Sequence, residues 1–191
     1  MFKQTHVVLV VAIATTLSLT SASAQTNARS HRPSQATSGQ KVTPAEQRFL
    51  TEAIQGDLAG VNLGKLAQEK GQADEVKHFG QMLQHDHSDH LKRAEQMAEQ
   101  MRITPPTSPS ARQQATHEKL AKLSGVTFDK EFKLAILKDH QEDIAKYRRE
   151  AEGKGPLAQF AQQTVPTLEK HLKHAHALGR PAATTGKGTK Q

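Results

Sequence analysis

The chain has 191 residues, 26 lysines and arginines against 19 aspartates and glutamates, and no cysteine. The missing thiols exclude disulfides, thiol catalysis and cysteine-ligated metal. The formal charge of +7 invites a nucleic-acid partner, but aromatics are only 4% and the basic residues interleave with acids, so no nucleic acid is expected.

The first stretch, "MFKQTHVVLVVAIATTLSLTSASA", holds one basic residue (Lys3), an apolar run from Val7 to about Leu19, and the small-residue pattern Ala22-Ser23-Ala24. It reads as a signal peptide over 1–24, cleaved after Ala24, which directs the protein to the periplasm. The apolar run falls short of the roughly 20 residues that span a bilayer. No later segment is apolar enough to serve, so the mature chain is expected to carry no integral membrane span. Residues 25–42 are polar and rich in Ser and Gly, and are expected as a disordered leader.

Helical periodicity governs residues 43–178. The first helix starts with Thr43 as cap, Pro44 in the first turn and Glu46 completing a capping box, and runs to Lys70 before Gly71. It contains Gly56, Gly60 and Gly64 at four-residue spacing. Each interior glycine costs roughly 0.5–1 kcal/mol against alanine, so the row marks a close neighbouring helix or room for side chains opposite. The second helix spans about Asp74 to Met101. "TPPTSPS", Thr104 to Ser110, forbids helix, and a short amphipathic piece follows over about Ala111 to Leu123. The third helix is expected after Thr127 as cap, running to Glu152; "GKGP" then breaks the chain. The fourth spans Pro156 to about Leu178, with Pro166 expected to kink it. The tail 179–191 is basic, without large apolar residues, and is expected to be disordered, with weak contact to an anionic surface.

Short links between helices 1–2 and 3–4, and a long link 2–3, predict an all-α protein: a ferritin-like four-helix bundle with one long crossover between helices 2 and 3. The chain also repeats itself. "FGQMLQHDHSDHLKRA" (Phe79 to Ala94) and "FAQQTVPTLEKHLKHA" (Phe160 to Ala175) agree at Phe, Gln, His-Leu-Lys and Ala, so that His90 corresponds to His171.

The apolar stripes carry polar residues at similar depth. Asp57 lies on the first helix; His87 and His90 lie on the second with Asp86 at the edge. The third carries His140 and Asp143 with Asp139 at the edge, and the fourth has His171 at its edge. A layer of Asp and His inside an apolar core needs partners, since an unpaired buried polar group costs roughly 1–3 kcal/mol. A divalent metal (Fe, Mn, Zn or Cu) bound by Asp57, Asp86, His87, His90, Asp139, His140, Asp143 and His171 would satisfy it. A closed Asp–His hydrogen-bond network would do so as well. Solvated side chains in a loose bundle are the third arrangement. Ferritin-type dinuclear sites use Glu-x-x-His pairs; the nearest patterns among these groups are Asp86-x-x-x-His90 and Glu169-x-His171.

The segments "FLTEAIQGDLAGVNLGKLAQEKG", "EVKHFGQMLQHDHSDHL", "LSGVTFDKEFKLAILKDH" and "FAQQTVPTLEKHLKHA" resemble the bacterial family called domain of unknown function 4142. The resemblance implies a ferritin-like fold in an exported protein. The family's Asp-His pairs match Asp86-His87 and Asp139-His140, and its His after Pro-x-Leu matches His171. Its first-helix motif Ala-Glu-Val-Glu-Leu-Gly reads "AGVNLG" here, with Gly60 and Asn62 in place of both acids.

Three functions compete on this reading. One is a metal-binding protein in a storage, sensing or stress role. A second is a redox enzyme, which requires two metals and more carboxylates than the pattern supplies. The third is a structural or interaction module whose Asp/His layer is a core network or an acid switch, drawing on the ten histidines of the mature chain. No serine-nucleophile motif, phosphate loop or dinucleotide fingerprint occurs.

Overall fold

The computed structural model describes residues 41–179. The expected signal peptide, the expected leader up to residue 40 and the tail from residue 180 lie outside them. Five helices and no strand are present among the described residues: α1 (Pro44–Lys70), α2 (Asp74–Gln100), α3 (Ala111–Ala121), α4 (Gly125–Ala151) and α5 (Pro156–Ala177). The count is five rather than four because the short piece between the second and third long helices is itself a helix of 11 residues. No helix among the described residues is long and apolar enough to cross a membrane.

Local chemistry explains most boundaries. Thr43 and Glu46 form the expected capping box, with Glu46 N–H donating to Thr43 Oγ1 at 3.2 Å and Thr43 N–H to Glu46 Oε2 at 2.8 Å. Ser110 and Gln113 form a second one at the start of α3. The third long helix begins two residues before the expected cap at Thr127, because Gly125 adopts φ +60°, a left-handed turn that glycine makes without strain. The start of α2 has no side-chain cap of its own. Asp129 of α4 supplies it, accepting from the N–H groups of Gln72 and Ala73, both at 2.9 Å. α5 runs unbroken through Pro166.

The core forms two apolar clusters. One gathers Phe49, Ile54, Ala94, Ile144, Tyr147 and Phe160. The other gathers Leu63, Phe79, Leu83, Phe128, Phe132 and Ile136. α1 and α5 meet the first cluster early and the second late, whereas α2 and α4 do the reverse. Hence α1 and α5 run one way and α2 and α4 the other. The link from α2 to α4 must therefore return along the molecule, from Ile103 in the first cluster to Leu120 of α3 in the second. Ion pairs Arg112–Glu142 at 2.9 Å and Lys119–Glu131 at 2.7 Å tie α3 to α4.

α1 packs on α2 and α4 on α5. The glycine row on α1 explains how close the first pair comes. A methyl on Gly64 would lie 2.6 Å from the Gly80 carbonyl oxygen and 2.7 Å from Gln84 N, so α2 backbone occupies that space. Between the two clusters each long helix exposes a polar residue to the interior: Asp57, then His87 and His90, then His140, then His171.

Candidate metal centre

Three imidazoles from three helices converge. One nitrogen of each of His87 (α2), His140 (α4) and His171 (α5) lies within 4.8 Å of the others, and all three rings are buried. His171, expected at the edge of its stripe, is 1% exposed.

Hydrogen bonds decide which nitrogens face inward. His87 Nδ1 donates to Asp57 Oδ1 at 2.9 Å. His140 Nδ1 donates to the Ile136 carbonyl at 3.2 Å. His171 Nε2 donates to Asp86 Oδ2 at 2.9 Å. Carbonyls and ionised carboxylates only accept, so each outer nitrogen carries the proton of its neutral ring. The remaining nitrogens, His87 Nε2, His140 Nε2 and His171 Nδ1, present lone pairs. His87 Nε2 is the one buried side-chain polar atom without a partner among the described residues. With these tautomers, His140 Nε2 and His171 Nδ1, 3.2 Å apart, have no proton between them. Two nitrogens about 2.0–2.1 Å from one tetrahedral zinc would be about 3.3 Å apart. The donor set therefore fits a divalent cation, and two of the three outer partners are carboxylates that orient the rings and raise their basicity.

The electrostatics agree for two of the three rings. Burial drives His140 well below the usual imidazole range, and the fields of His87 and His171 push it further. Burial also lowers His171, to about 4. Both rings are therefore neutral at pH 7. Burial opposes charge on His87 too, but the bond to Asp57 and the fields of Asp57, Asp143 and Asp139 outweigh it and raise the ring. A proton there would sit on Nε2 without a partner; a metal ion in the same place would satisfy three nitrogens at once. Burial raises Asp57 and Asp86, yet bonds from His87 and His90 to the first, and from His171 and Lys170 to the second, hold both carboxyls below their usual value.

The eight sequence candidates thus separate. His87, His140 and His171 converge; Asp57 and Asp86 stand behind two of them. His90 is turned away from the cluster: Nδ1 meets Asp57 Oδ2 at 2.6 Å and Nε2 meets Thr164 Oγ1 at 2.7 Å. Three residues along α2 rotate a side chain by 300°, so His87 and His90 face different neighbours. Asp139 and Asp143 do not join the converging atoms. Asp139 lies 3.7 Å from Arg112, and Asp143 3.3 Å from Lys146.

Thr164 is not among the sequence candidates; its one signal is a hydroxyl on the buried face of α5. It is 3% exposed and bonds back to the Phe160 carbonyl at 2.8 Å. It completes a chain from Phe160 through His90 and Asp57 to His87. Gly60 answers one of the two readings of the glycine row. A methyl there would lie 2.5 Å from the His87 ring, so glycine makes room for the imidazole.

Asp139 is raised to about 6 by burial and by Asp143. A carboxyl whose folded value exceeds its unfolded one favours the fold when protonated and weakens it when ionised. Its contribution is therefore favourable below about pH 4 and lost as pH rises through 6. Asp139→Asn mimics the protonated form, and is expected to stabilise the protein by about 2–3 kcal/mol at pH 7. The gain should vanish near pH 4. Urea midpoints across pH 4–7 check it; a gain unchanged with pH contradicts the assignment.

A structure-level relative supports the fold. A crystal structure titled as a DUF305 fragment from Deinococcus radiodurans matches with TM-score 0.65 and 17% identity, covering 72% of this chain and 97% of that one. No curated protein matches the chain. The family model described as "Domain of unknown function (DUF4142)" matches residues 31–178. With the matched span taking in all five helices, the chain belongs to the DUF4142 family.

Proposed function

We propose that this protein is an exported, periplasmic metal-binding protein: a ferritin-like four-helix bundle, with α3 in its crossover, holding one divalent cation through His87, His140 and His171. The helix directions and the long α2–α4 link support the bundle topology. The leading 24 residues support export.

The observation that carries the metal reading is the inward set of lone pairs. A closed hydrogen-bond network, the competing reading, accounts well for Asp57, His90 and Thr164. It leaves His87 Nε2 unpaired and sets two acceptor nitrogens against each other at 3.2 Å. The donor set is all imidazole, which suits Zn or Cu better than the carboxylate-loving Mn. Only one metal is accommodated, since Asp57 and Asp86 are committed to imidazole N–H groups. That favours storage, sensing or a stress role over dinuclear redox catalysis.

Metal-stripped protein should take up one equivalent of Zn or Cu by elemental analysis. Its melting temperature should rise by roughly 8–10 °C at about a hundredfold excess over Kd. Flat melting curves with Zn, Cu, Fe and Mn alike would remove the metal reading.

A further inference from the structure

Three helices contribute one nitrogen each to the cluster, and the fourth long helix has none to add. Asp57, the buried carboxylate of α1, has both oxygens engaged, by His87 and by His90. One turn on, α1 presents Gly60 to the His87 ring. Three protein donors to a cation that prefers four leave a coordination position unfilled.

A cavity of about 220 Å³ is lined by two of the three rings, His87 and His171, and not by His140. It is also lined by four carboxylates, and each already has a hydrogen-bond or ion-pair partner. Asp57 is bonded to two imidazoles; Asp86 accepts from His171 and lies 3.2 Å from Lys170. Asp89 pairs with Lys92 at 3.0 Å, and Asp143 with Lys146 at 3.3 Å. Arg93 lines the same cavity and has no carboxylate within 4.0 Å among the described residues. A dication held by three neutral rings keeps its full charge of two. The cavity then combines a metal with an unfilled position and an unpaired guanidinium, whose planar fork suits oxyanions and carboxylates.

We infer that the metal centre keeps an exchangeable fourth position, opening on this cavity, which takes a small anion of the carboxylate or inorganic class with Arg93 as its second contact. This rests on the metal reading proposed above. It makes the site a small-anion receptor in its loaded form rather than a closed structural metal.

Full-length protein loaded with Co(II) tests both readings separately. The visible bands of cobalt report uptake, and their shift on titration with azide or acetate reports the open position. The expected result is uptake in one equivalent, followed by a saturable band shift with one anion bound. Arg93→Ala, at an exposed position on α2, should leave cobalt uptake unchanged and weaken azide binding at least about fivefold, the effect of losing a charged hydrogen bond. Cobalt uptake with bands indifferent to azide and acetate overturns the open position and leaves the metal site standing. An equal azide affinity in Arg93→Ala overturns the role of the guanidinium. No cobalt uptake removes the metal reading and this inference with it.

Discussion

Asp57→Ala is expected to destabilise the fold by about 2–6 kcal/mol, because it leaves two buried ring nitrogens, Nδ1 of His87 and of His90, without a partner, at roughly 1–3 kcal/mol each. Asp57 is 3% exposed, and its two oxygens are bonded to His87 at 2.9 Å and to His90 at 2.6 Å. No other acceptor is in place for the His87 Nδ1–H, whereas His90 can carry its proton on Nε2, toward Thr164 Oγ1. Asp57→Asn separates shape from charge. The amide oxygen can still accept from His87, while the amide N–H₂ donates to His90 Nδ1. His90 can adopt that tautomer, because its Nε2–H then donates to Thr164 Oγ1, which passes its own proton to the Phe160 carbonyl. The asparagine variant should therefore stay within about 1 kcal/mol of wild type. It should nonetheless bind metal about 10–100-fold more weakly, since the carboxylate no longer raises the basicity of His87. Urea midpoints and a metal titration read the two effects. Equal loss of stability in both variants would contradict the tautomer assignment.

Gly60→Ala is expected to abolish metal binding and to cost about 1–3 kcal/mol of stability, although alanine is the better helix former. The added methyl would lie 2.5 Å from two ring atoms of His87 and 2.8 Å from Nδ1. That ring is buried and tied to Asp57, so it has no flexible end to swing aside. Displacing it removes one of the three proposed ligands and breaks the bond that orients it. Gly56→Ala on the same helix is the control. The nearest atom to its methyl would be Asp143 Oδ2 at 3.6 Å, an ordinary contact. It should retain the metal and gain roughly 0.5–1 kcal/mol from helix propensity, what alanine adds over glycine inside a helix. Calorimetric titration and thermal melting compare the pair; metal binding unimpaired in Gly60→Ala would contradict the packing account.

Arrangements that depend on near neighbours in the chain were legible without coordinates. The capping box at Thr43, the stop at Gly71, the helix-forbidding prolines and the interior placement of Asp57, His87 and His140 all follow from spacing, and the structure shows each. The early start of α4 was missed because a cap at Thr127 and a left-handed Gly125 are equally compatible with the local residues. The cap on α2 was out of reach altogether, since Asp129 comes from another helix.

From its residues alone this protein's helices, their lengths and the presence of a buried Asp/His layer could be derived, because periodicity sets which face of a helix turns inward. How that layer divides required the packed molecule. His87 and His90 share one stripe, yet one joins His140 and His171 while the other turns to Thr164. Side-chain torsions and the distance between helices decide this, and a glycine at position 60 sets that distance from the side of α1. Which ring nitrogen keeps its proton then depends on acceptors drawn from three different helices, Asp57, Asp86 and the Ile136 carbonyl, and no spacing along a single helix encodes that meeting.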